Sequence, residues 1–156
     1  MLKLFPRFLY IVFFAFTLQA CSDNDDVQNQ SAGKYGMLDP NTPHYAAMKF
    51  FEHIYYDSNL NGAVELSTPR MGRLLQSYHN NRNVQRHVLN LIYDEVEIQP
   101  DAGNSVGRAE FAKKAVVSVF FTGHRHDKKH EDIRVVEMVK MDGDWKVSKV
   151  RADKYL

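Results

Sequence analysis

Nine consecutive residues, His124-Arg125-His126-Asp127-Lys128-Lys129-His130-Glu131-Asp132, carry three imidazoles and three carboxylates. If the preceding strand continued, His124 and His126 would share a face and His130 or Asp127 would supply a third donor, a ligand set suited to zinc or copper. Three cations, Arg125, Lys128 and Lys129, oppose a divalent ion there. The same stretch also interrupts two apolar strands, as a solvated hairpin loop must. The loop is the favoured expectation; His124, His126 and His130 remain metal-ligand candidates, and no cofactor is implied. A second chemistry, acid–base work or ligand binding in an apolar pocket, would draw on Tyr55, Tyr56, His87, Asp94 and Glu95, with Trp145 as an apolar contact. Tyr55 and Tyr56 read equally as core-edge residues whose hydroxyls reach water. Asp94 breaks the apolar alternation around it and reads as a pocket carboxylate or as an exposed edge. The third reactive group is Cys21, the one cysteine of the chain. No Ser-His-Asp signature, glycine-rich phosphate loop or paired-cysteine metal site is present.

The elements that must position these groups follow from pattern. Thr42-Pro43 is an N-cap with proline at the first helical position, and Ala47, Phe50, Phe51 and Ile54 form an apolar stripe behind it, so a helix is expected to about Tyr56. Asn61-Gly62 opens a shorter helical turn. Thr68-Pro69 repeats the cap signal, followed by Met71, Leu74, Leu75 and Tyr78. After the polar break His79-Asn80-Asn81, Val84, His87, Val88 and Leu91 suggest a third helical stripe, or a continuation of the second. Residues 93–99 alternate acids with apolars, residues 115–121 and 133–141 are rich in β-branched and aromatic residues, and all three read as strands. Asp142-Gly143 supplies a two-residue hairpin turn that pairs residues 133–141 antiparallel with 145–150. Helices preceding strands give an α+β class, N-terminal helices packed on an antiparallel sheet.

Charge nominates no partner: twenty bases against nineteen acids is far from the excess that nucleic acid requires. Arg70, Arg73, Arg82 and Arg86 gather around the second and third helical stretches. They read as the solvent face of an amphipathic pair or, alternatively, as a surface for anions such as lipid head groups.

Residues 1–20 contain Lys3, Arg7, five of the ten Phe and no acid. A short basic start precedes the apolar run 8–18, which is the layout of a signal peptide and, at about 16 Å of helix, too short for a permanent span. Leu18-Gln19-Ala20-Cys21 resembles the lipobox of bacterial lipoproteins, with Gln19 where the motif prefers a small residue. The resemblance implies cleavage before Cys21, a diacylglycerol on its sulfur and acylation of the new amine. Two or three chains hold firmly where one holds reversibly. Ser22 rather than Asp at the next position implies, in enteric-type lineages, the inner leaflet of the outer membrane, facing the periplasm. Residues 21–41 then form the lipidated cysteine and a flexible acidic tether, since they bury too little to offset ordering entropy. Residues 42–156 form the globular domain.

Lys49-Phe50-Phe51 in an opening helix, the segment after Asn59-Leu60-Asn61-Gly62-Ala63, and the closing Lys140-Met141-Asp142-Gly143-Asp144-Trp145-Lys146-Val147 resemble the nuclear transport factor two-like, or cystatin-like, superfamily over about residues 43–153. In particular they resemble small bacterial envelope lipoproteins whose domain has no assigned function. That resemblance implies a bent antiparallel sheet wrapping a helix around a conical cavity, used for catalysis or ligand binding in some relatives and for protein contacts in others. The expectation is an envelope-anchored lipoprotein with a non-catalytic domain that binds an envelope protein or a small molecule. The alternatives are a small-molecule enzyme using the cone and an assembly subunit of an envelope or secretion complex.

Overall fold

The computed structural model describes residues 39–101 and 112–153. Cys21, the signal segment and the tether up to residue 38 lie outside the described residues. Helix α1 (Pro43–Tyr55) begins where the sequence places it: Thr42 is extended, and its hydroxyl accepts the Tyr45 N–H. Its buried face carries Ala46, Ala47, Phe50, Phe51 and Ile54. A short α2 (Asn61–Glu65) leads to α3 (Pro69–Ser77), capped by Thr68 on the Met71 N–H. The third helical stripe resolves into a single turn, α4 (Asn81–Asn83), followed by a π-helical turn Val84–Val88. The wider turn is closed by Leu89 N–H on the Val84 carbonyl at 3.0 Å. Among the described residues no helix is long and apolar enough to cross a membrane.

Four strands follow, β1 (Glu95–Pro100), β2 (Lys114–Arg125), β3 (Lys128–Met141) and β4 (Asp144–Ala152), in one antiparallel sheet of order β1-β2-β3-β4. The class is α+β, an open antiparallel sheet with helices on one face. Strand alternation directs Val117, Val119 and Phe121 of β2 and Val136 and Met138 of β3 to the helices. A bulge at Glu137/Met138 shifts the β3–β4 register, after which Trp145 and Val147 are also buried. The opposite face leaves Val116 62% and Phe120 40% exposed.

The hairpin between β2 and β3 corrects one sequence-based expectation. Residues 122–132 are not a loop. The ladder continues through His124↔Lys129 and Arg125↔Lys128, and only His126 and Asp127 turn, both with positive φ (50° and 60°). The apolar pattern stops at Phe121 because the strands run out past the core into solvent, so polarity there marks exposure and not a change of backbone.

Candidate functional site

The C-terminal end of α1, the α4–π segment and the approach to β1 enclose a recess of about 530 Å³. Tyr55, Tyr56, Asp94 and Glu95 all line it. These four come from two stretches that the sequence keeps apart. Asn81, Arg82, Gln85 and Tyr93 are also in the wall, with Ile54, Asp57 and Val96; of the first four only Arg82 was singled out in the sequence, and as part of a surface for anions rather than of a pocket.

The recess is held by hydrogen bonds to the end of α1, where carbonyls lack intrahelical donors. Asn81 Nδ2 donates to the carbonyls of His53, Ile54 and Asp57, at 2.9, 3.2 and 3.0 Å. Gln85 Nε2 donates to the Ile54 carbonyl at 2.9 Å. Arg82 Nη1 donates to Gln85 Oε1 at 3.3 Å and to the Tyr93 carbonyl at 3.2 Å. Tyr55 OH donates to the Leu91 carbonyl and Tyr56 OH to the Val96 carbonyl, each at 2.7 Å. A π-turn places Gln85 in this wall, and such turns recur at functional sites because they displace one side chain from the regular helical face.

Two buried polar atoms of this wall's residues, Asn81 Oδ1 and Tyr93 OH, lack a partner among the described residues. Tyr93 is only 4% exposed. Its ring stacks parallel to Phe121 and lies 6.1 Å from that of Tyr55. Burial, with the Asp132 carboxylate adding to it, pushes the Tyr93 phenol up to about 12. Burial raises Tyr55 further, and raises Tyr56 with help from Glu52 and Glu97. At neutral pH these phenols are therefore hydrogen-bonding groups and not bases.

Asp94 is solvent-exposed, and its carboxylate accepts the His126 N–H at 2.7 Å while its own N–H donates to the His124 carbonyl. It is an edge residue that braces the β2–β3 hairpin against the rim. His124, His126 and His130 are exposed. In the ladder His124 pairs with Lys129 and His130 with Gly123, so His124 and His130 project from opposite faces while His126 sits in the turn. Among the described residues no group of three or more His, Cys, Asp or Glu is placed to hold a metal ion. His87 is exposed and stacks on Tyr78. Trp145 is buried on the inner sheet face beneath Lys140 Nζ, outside the recess wall.

Compared with protein-family models, with curated proteins and with solved structures, the chain finds no match in any of the three.

Proposed function

We propose that this chain is a lipid-anchored protein of the bacterial envelope, held through Cys21 at the outer membrane and facing the periplasm, whose nuclear transport factor two-like domain binds a small polar ligand without transforming it. The observation that carries the binding reading is the pair of unfinished hydrogen-bonding groups, Asn81 Oδ1 and Tyr93 OH, in residues lining one recess. Buried polar atoms without partners are rare because each forfeits its hydration for nothing, so a ligand whose donor and acceptor reached these two would be held by them. The enzyme alternative has less support. The carboxylates that line the recess, Asp57, Asp94 and Glu95, are all exposed, Asp57 in contact with His53 Nδ1 at 2.6 Å, and the phenols stay protonated at neutral pH.

The anchor is supported by the lipobox-like Leu18-Gln19-Ala20-Cys21 and by the absence of any other cysteine. Metabolic labelling with radioactive palmitate tests it. Wild type should label and fractionate with membranes, whereas Cys21→Ala should do neither; membrane retention of the variant would overturn the anchor. The binding reading is tested separately by fluorotyrosine NMR, with the Tyr93 resonance assigned through Tyr93→Phe, against a set of small neutral amides and polyols. Some of these should move the Tyr93 signal, and a Tyr93 resonance indifferent to every compound would reject the recess as a ligand site.

A further inference from the structure

On the side of the domain where α3 meets β4, a second cleft of about 630 Å³ combines cationic and apolar groups in its lining. Arg70 and Arg73, three residues apart, share a face of α3, and Lys149 of β4 also lines the cleft. Among the described residues none of the three is paired with a carboxylate. Glu137, the register partner of Lys149, accepts instead from Arg151 Nε at 3.3 Å. Beneath the charges lie Met71, Val88 and Val150, and Leu74 keeps 43% of its surface exposed. The walls are tied together by backbone. Thr68 N–H donates to the Val147 carbonyl at 2.9 Å, and Val147 N–H to the Leu66 carbonyl at 2.8 Å, clamping the start of α3 onto β4.

We propose that this cleft binds the phosphate group of an anionic amphiphile, with the apolar chain lying along Leu74, Val88 and Val150. A cation is repelled here, and a neutral apolar ligand would leave three uncompensated charges facing it. Two guanidiniums and an ammonium match a group with several anionic oxygens, because guanidinium forks engage two oxygens at once and the ammonium adds a point charge. The uncovered apolar surface beside them distinguishes an amphiphile from inorganic phosphate, since burying a chain against it removes apolar area from water. Two sources carry this chemistry, an acidic lipid already in a membrane and a phosphorylated amphiphile free in solution.

The full-length protein in neutral detergent, titrated by calorimetry with short-chain phosphatidic acid, should bind it. Short-chain phosphatidylcholine and inorganic phosphate should bind at least roughly tenfold more weakly. Arg70→Gln, Arg73→Gln and Lys149→Gln should each weaken phosphatidic acid binding by about tenfold with the thermal midpoint unchanged. Leu74→Ser should weaken it while leaving the response to inorganic phosphate as it was. To separate the sources, hydrogen exchange of residues 69–77 is compared in nanodiscs with and without phosphatidylglycerol. Protection that requires the acidic lipid identifies a membrane headgroup, and protection by the short-chain probe alone identifies a soluble ligand. Equal binding of the two short-chain lipids, or binding unchanged in the triple glutamine variant, would overturn the proposal. Because none of these residues lines the recess at Tyr93, that failure would leave the proposed function standing.

Discussion

Tyr55 and Tyr93 pack ring to ring, yet loss of their hydroxyls has different expected consequences because only the Tyr55 hydroxyl has a partner among the described residues. Tyr55→Phe strands the Leu91 carbonyl and should cost about 1 kcal/mol in chemical denaturation at pH 7. Tyr93→Phe removes an unsatisfied buried group and should be neutral or slightly stabilising under the same conditions. Alkali should reverse the order of interest. Both phenols are held above their unfolded value because burial penalises the phenolate, so the shift costs no stability below pH 10, and stability falls as pH rises through 10 toward the Tyr93 value of about 12. Denaturation measured from pH 8 to 11.5 should therefore show a falling stability, with a shallower fall in Tyr93→Phe; an identical slope in wild type and variant would contradict this assignment. At this scale the sequence singled out Tyr55 as a helix-edge residue, but not the distant carbonyl that receives its proton. Tyr93 looked like an ordinary first residue of a strand.

Two hairpin turns show how far an element can be read in advance. Asp142-Gly143, with φ of 53° and 98°, uses the pair of residues that most readily adopts positive φ, and the β3–β4 hairpin was legible from it. His126-Asp127 makes the same kind of turn with no glycine at its second position, where Asp127 resists positive φ more than glycine does; the polar stretch announced a hairpin, but nothing local showed that only two residues turn. Asp127→Gly should relieve that resistance and raise stability by up to about 1 kcal/mol in equilibrium unfolding. Gly123 presents the opposite case. An added Cβ would stand 2.2 Å from the Glu95 carbonyl and 2.9 Å from Val96 Cα on the paired strand, both backbone atoms. Gly123→Ala should therefore destabilise by about 2 kcal/mol or more and loosen β1, which hydrogen exchange of residues 95–100 would detect. The third helical stripe was misjudged in kind, because apolar spacing cannot distinguish an α-helix from a turn widened by one residue.

Across the whole domain, an aromatic chain joins the first helix to the sheet: Phe50 meets Phe51 edge-on at 5.1 Å, Phe51 meets Phe121 at 4.9 Å, and Phe121 continues to Tyr55 and Tyr93. The same rings that fill the interior form the back of the recess at Tyr55 and Tyr93, so folding stability and the candidate site share one packing unit. Phe51→Ala should cost about 3–5 kcal/mol, a large part of the total stability of a domain this size, visible as a lowered thermal midpoint. Periodicity, capping pairs and an Asp-Gly turn by themselves determined the α+β class, the starts of α1 and α3 and the last hairpin. Each of those signals acts between residues a few positions apart, where backbone geometry leaves few choices. Only the tertiary structure decided that residues 55, 81 and 93 meet around a recess, that Asn81 Oδ1 and Tyr93 OH have no partner among the described residues, and that Arg70, Arg73 and Lys149 line one cleft. Whether a polar or charged group is satisfied depends on what chain packing carries to within about 3 Å of it, and that distance has no counterpart in spacing along the sequence.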